Sequence, residues 1–453
     1  MDECRILSPL GMLGYGFPAE SFQAGLARRP HVIGADAGST DGGPHKLGAG
    51  VGIVSRAATK KDLGVMLRGG LEVEAPVIVG SAGGSGAAVH LAWTRAILEE
   101  LIREGGDRRR VAYIHAELDK EFLKDELAAG RIEPLRGVPP LTDKAIDSAT
   151  RIVAQMGAEP IIRALEAGAH VVVAGRAYDP ACFAAYPLWK GFPAGPAWHL
   201  GKILECGALC AEPGAPGDAM FGRLRGDGFV VEPLNPARRC TEVSVAAHTL
   251  YEKSHPYLLP GPGGTTDLSA CTFRQVNDRA VEVRGSRFRP SPAYTVKLEG
   301  AELAAYRTIV VAGIRDPVMV AELGSTEQAV VEITRTYFDW IPPDEYQILF
   351  HHYGVNGVMG ASEPLLGVRV PHEVGLVLEV AAPTQETADA VCAFARATLL
   401  HYGYPGRQAT AGNLAFPFAP SDVPLGPVYR FNVYHLLQVD DPNALFPLEL
   451  VEY

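Results

Sequence analysis

The stretch Val111 to Asp119 holds the densest set of groups suited to proton transfer. Read as a strand, it places His115, Glu117 and Asp119 on one side, opposite Ile114 and Leu118. Three titratable groups at a strand's carboxyl end can serve as general acid and base, or hold a divalent cation such as Mg²⁺. The competing reading makes Asp119 a helix cap and Glu117 the partner of an arginine.

Other strand ends share this polar, glycine-rich character. After residues 31–34 come Asp36, Ser39, Thr40 and Asp41 among glycines, a set that can hold a substrate hydroxyl or a hydrated cation, or merely shape a turn. Residues 76–79 run into Gly80-Ser81-Ala82-Gly83-Gly84-Ser85-Gly86, followed at once by a helix. Backbone amides there can cradle a phosphate or carboxylate, although the spacing fits neither a Walker loop nor the dinucleotide fingerprint. The alternative is a tight turn whose glycines permit close packing. After residues 170–174, Arg176 offers bidentate recognition of a carboxylate, and Asp179 lies beside it in sequence. Further on, His199, Lys202 and Cys206 fall on one helical stripe, with Cys206 read as a buried thiol. His248-x-x-x-Glu252-x-x-His255 departs from the H-E-x-x-H pattern and is a weak metal motif.

The elements that must position these groups alternate. Short Val/Ile runs at 31–34, 76–79, 111–118 and 170–174 are separated by helical patterns, notably 87–104 and 159–167. This predicts an α/β fold whose parallel sheet is flanked by helices, over residues 1–211. Residues 212–300 are rich in Gly, Pro and Arg and read as mixed β structure and loops. From 301 to 453 the order strand, helix, strand, strand, helix predicts a ferredoxin-like α+β module plus a C-terminal strand over 428–437.

Composition sets limits. A formal charge of −11 argues against nucleic acid or an anionic membrane as partner. Seven cysteines without a C-x-x-C pair suit free thiols in a reducing compartment, and the N-terminus has no signal-peptide pattern, so a cytoplasmic location is expected. No apolar run reaches the ~18 residues of a membrane helix. The size and class suggest a homo-oligomer.

Several stretches resemble the acyclic terpene utilisation (AtuA-like) family: GADAGSTDGGPHKLG, GSAGGSG, AGRAYDPACFAA, AWHLGKILECGA, EPLNPARRCT, AAHTLYEKSHPYLLPGPGG, YTVKLEGA, GIRDP, HYGYPGR and TAGNLAFPF. They span nearly the whole chain. The resemblance implies an enzyme of branched-chain acid or acyclic terpene catabolism: a lyase or hydratase acting on a hydroxy-carboxylate or acyl-CoA intermediate, with a small separate subunit as partner. On that reading His115 and Glu117 are base and acid. Arg176 and the Gly80–Gly86 amides hold the anion, and Asp36 and Asp41 orient a hydroxyl or cation. Two other classes stay open: a nucleotide- or CoA-binding transferase or ligase-like enzyme, and a non-catalytic scaffold subunit of a two-component enzyme.

Overall fold

The computed structural model describes residues 1–38, 42–252, 254–368, 370–408 and 410–453. They form two compact units, one of residues 1–302 and 431–453, the other of residues 303–430.

In the first unit the parallel strands are β1 (Cys4–Ser8), β2 (Val32–Asp36), β3 (Val77–Gly80), β4 (Arg110–Ile114) and, after the short β5 (Ile132–Pro134) and β6 (Ala149–Ala154), β7 (Val171–Ala174). Antiparallel strands follow: β8 (Met220–Arg225), β9 (Gly228–Pro233), β10 (Leu258–Gly261), β11 (Gly264–Asp267), β12 (Thr272–Gln275), β13 (Val281–Arg284) and β14 (Arg287–Pro290). Then come β15 (Tyr294–Ile314), β16 (Gln347–Tyr353), β17 (Val374–Ala382), β18 (Asp422–Val439) and β19 (Leu448–Glu452).

The described residues give one ten-stranded sheet in the order β12-β13-β9-β8-β1-β2-β3-β7-β4-β19. Its centre, β1 to β4 with β7, is parallel. Both flanks are antiparallel, so the sheet is mixed where the sequence predicted a parallel one. The antiparallel steps are β8 on β1 and β19 on β4, which join segments far apart in sequence; beyond β8 the chain reverses into β9 across Gly226, whose φ of 52° suits a tight hairpin. Strands β8, β9, β12 and β13 of residues 212–300 thus continue the sheet that begins at residue 4, while β10, β11 and β14 form a separate three-stranded sheet.

Strands β2, β3 and β7 are buried along their whole length. Alternate side chains feed two cores. Ile33, Val77, Val79, Val171 and Val173 meet Phe22, Met66 and Leu98, whereas Val32, Ile78 and Val172 meet Ile161, Phe183 and Leu200. Helices Arg56–Glu72 and Ala88–Gly105 thus cover one face, and Glu159–Glu166, Ala181–Trp189 and Ala194–Leu204 the other. Among the described residues no helix is long and apolar enough to cross a membrane.

In the second unit, residues 303–314 of β15 pair with β17, which pairs with β16. Helices Leu323–Tyr337 and Gln385–His401 supply Val330, Val391 and Leu399 to its core.

The last strand, β19, closes the sheet edge at β4. There the buried Tyr113 hydroxyl bonds the Tyr453 hydroxyl at 3.0 Å, and Tyr453 donates to Glu99 at 2.7 Å. Deleting residues 447–453 is expected to cost at least about 2 kcal/mol, since it leaves the Tyr113 hydroxyl without this partner and bares the edge of β4 that faces away from β7. Thermal melting should show the loss, and size-exclusion chromatography should show self-association through the bared edge.

Candidate functional site

The carboxyl ends of β1, β2 and β7 border a cavity of about 280 Å³ lined by Met12, Asp36, Asp179, Glu205, Cys206 and Tyr251, among others. Asp36 ends β2 and is 2% exposed. Its Oδ2 accepts from the Gly38 amide at 3.0 Å, while its Oδ1 has no hydrogen-bond partner among the described residues. Burial, reinforced by Asp179 and opposed by Arg176, raises the Asp36 carboxyl well above the usual carboxylate range. It is therefore held toward its protonated form beside open space. Gly80 makes room for it: a Cβ there would lie 2.1 Å from Cys182 Sγ and 3.0 Å from Asp36 Oδ1.

Behind this wall Arg176 is buried and fully engaged. Its Nε donates to Glu299 at 2.9 Å, and its Nη1 to Ser81 Oγ at 2.9 Å, to the Ala177 carbonyl at 2.7 Å and to Asp179 at 3.0 Å. Glu299 comes from β15 and also pairs with Lys297 at 2.6 Å. Burial alone would raise the Glu299 carboxyl, but Arg176 and Lys297 hold it down to about 2. The bidentate grip expected of Arg176 is thus spent within the protein, on Glu299, Ser81, Ala177 and Asp179.

The other expected residues are placed as follows. Strand β4 stops at Ile114, so the alternation that was to align His115, Glu117 and Asp119 does not extend to them. Asp119 caps helix Lys120–Ala128 by accepting from Glu121 and Phe122. Glu117 accepts from the Ala88 amide at 2.8 Å, at the start of helix Ala88–Gly105. The chain's own carboxylate thus occupies the helix N-terminus that was expected to receive a ligand anion. His115 is half-buried, and none of the three lines the Asp36 cavity.

In the glycine loop, the amides of Ser81, Ala82, Gly84 and Gly86 donate to backbone carbonyls, so most of the cradle is used internally. Gly86 has φ of 66°, and a Cβ there would lie 2.0 Å from the Arg176 nitrogen; the close-packing reading explains it. Gly83 likewise packs against His90 and Gly84 against Ile53, and Ser85, half-buried, follows them in sequence.

His199 is fully buried, bonded to Ser286 and Thr249, and burial pushes it down to about 3. It is a core histidine and does not border the cavity. Lys202 is 2% exposed and paired with Glu205; burial disfavours its ammonium, but the Glu205 carboxylate keeps it charged. Burial and Glu205 hold the Cys206 thiol protonated, as a structural thiol should be. Ser39, Thr40 and Asp41 lie outside the described residues. Among the described residues no group of three or more His, Cys, Asp or Glu side chains is placed to hold a metal ion.

Reading the sequence alone missed Glu205 and Glu299. Glu205 adjoins Cys206 in a stretch read only for its His/Lys/Cys stripe, and nothing local marks Glu299.

The site is a buried carboxyl, held toward its protonated form, at the carboxyl ends of the parallel strands of an α/β sheet, where open sheets of this kind place their ligands. The family model described as acyclic terpene utilisation family protein AtuA matches residues 71–220 and 222–419, and the chain belongs to that family. Membership suggests involvement in acyclic terpene utilisation. No curated protein and no solved structure matches the chain.

Two outcomes follow for stability. Because the folded pKa of Asp36 is raised, its contribution is fully present below the unfolded value of about 3.9 and is lost as pH rises through the folded value. Asp36→Asn should therefore gain melting temperature relative to the parent as pH increases from about 5 to about 8. Glu299→Gln should lose about 3 kcal/mol at neutral pH in denaturant titration, since it leaves a buried guanidinium short of a counter-charge.

Proposed function

We propose that the Asp36 cavity is the acid–base centre of a lyase or hydratase acting on a hydroxy-carboxylate or acyl thioester of branched-chain acid or acyclic terpene breakdown. The observation that carries this reading is a 2% exposed carboxyl, biased toward its protonated form, with one oxygen unpartnered among the described residues and bordering a cavity. Loss of water from a hydroxy acid requires a proton for the departing hydroxide, and addition of water requires its removal. Asp36 is the proton donor in the dehydrating direction. Asp179, fixed by Arg176 at 3.0 Å and 31% exposed on its side chain, accepts the proton from the substrate carbon.

A cavity of about 280 Å³ admits the reacting carbon and its substituents and leaves the rest of an acyl chain or thioester outside. Its lining holds Asp36, Asp179, Glu205 and Glu252, which suits the hydroxyl end of the substrate and keeps the carboxylate or thioester end away. The reading takes no step through a cation. For the second unit we infer the ferredoxin-like module: the strand order β16-β17-β15-β18 and its antiparallel pairs support it.

The test is turnover of a panel of branched 3-hydroxy acids and their CoA thioesters, followed by mass spectrometry for gain or loss of water. The expected result is that one class turns over and Asp36→Asn lowers kcat/KM by about 10²-fold or more while remaining folded. Retention of activity within about threefold by that variant would falsify the assignment of Asp36.

A further inference from the structure

We propose a second ligand site at the opposite edge of the sheet, for a phosphorylated ligand carrying a planar ring: the adenine-nucleotide class, which includes the nucleotide end of coenzyme A. A cavity of about 510 Å³ lies where Pro76, Arg109 and His170 lead into β3, β4 and β7, at their amino ends. Its size is in the range of small-molecule sites. It is separate from the Asp36 cavity, which borders carboxyl ends and shares no lining residue with it.

The charge of its walls is the reverse of the chain's. Arg108, Arg109 and Lys190 face a single carboxylate, Glu74, in a protein of formal charge −11. Arg108 and Lys190 are exposed, and neither pairs with a carboxylate among the described residues. Lys190 instead holds its Nζ 3.1 Å from the Trp189 ring centroid and 5.4 Å from that of Tyr186. A cation parked on an aromatic face keeps its hydrogen-bonding capacity for an anion. Arg109 is buried, anchored to the Leu67 carbonyl at 3.1 Å and paired with Asp107 at 3.3 Å, so its charge is offset and the free positive charge of the site is that of Arg108 and Lys190. His170 accepts the Arg110 amide on Nδ1 at 3.2 Å, which leaves Nε2 as the ring's N–H donor.

Aromatic and apolar groups complete the site. Trp189 and Tyr186 meet edge to face at 5.6 Å, and Leu71 and Leu165 line the same cavity. Phosphates go to the Arg108, Lys190 and His170 donors, and the ring goes against Trp189 and the aliphatic wall.

The experiment is titration of the full-length protein with ADP, coenzyme A and inorganic pyrophosphate, read by calorimetry and by Trp189 fluorescence quenching. ADP or coenzyme A should bind more tightly than pyrophosphate, more weakly as salt rises, and at least about tenfold more weakly to Arg108→Glu and to Lys190→Glu. Tighter binding of coenzyme A assigns the site to thioesters, and tighter binding of ADP assigns it to free nucleotides. Asp36→Asn should bind unchanged, which separates this site from the proposed catalytic one. The idea fails if neither nucleotide binds at about 1 mM. It fails equally if both charge reversals leave affinity within about twofold, or if Asp36→Asn abolishes binding.

Discussion

A buried guanidinium governs the arrangement at the mouth of the sheet. Arg176 has been taken out of water, and a charge so placed must have its donors answered or the fold loses several kcal/mol. Its partners come from the β3 loop through Ser81, from β15 through Glu299, and from its own segment through Ala177 and Asp179. Two carboxylates already offset its charge, so little of that charge remains to draw the proton from Asp36. Burial is the main reason the Asp36 carboxyl is held toward its protonated form, and the way Arg176 is satisfied leaves that bias little opposed.

The same hub dictates where side chains must be missing. Gly80 gives its volume to Asp36 and Cys182, and Gly86 lets the loop backbone touch the chain at Arg176. The glycine loop is therefore part of the packing around the ion pairs. Its polar backbone is consumed by that packing, which is why it forms a wall and not an anion cradle.

Much of the fold was legible because β2, β3 and β7 are buried on both faces and must be continuous apolar runs. The polar strand ends also pointed to Asp36, whose carboxyl among glycines has no local reason to be buried. What could not be read was distance along the chain. Glu299 lies 123 residues from Arg176, and no pattern near either announces the other. The pairing of β8 with β1 is of the same kind, since period-2 alternation tells which faces a strand has and not which neighbour it finds. Strand β4 was read four residues too far in that its alternation was carried from Ile114 to Leu118, and that error put His115, Glu117 and Asp119 together. For His199, helical periodicity identified a stripe but not that the stripe meets Phe229 and Phe273 instead of solvent.

The first unit is discontinuous: residues 303–430 form the second unit before residues 431–453 return to the first. Its edge strand β4 waits for β19, which emerges from the ribosome more than three hundred residues later. Throughout that interval the nascent chain carries an unpaired strand edge, while the intervening unit already has a core of its own to collapse around. Synthesis and assembly are therefore out of step by design of the topology. The final handful of residues acts as a latch that completes a sheet begun at the fourth residue.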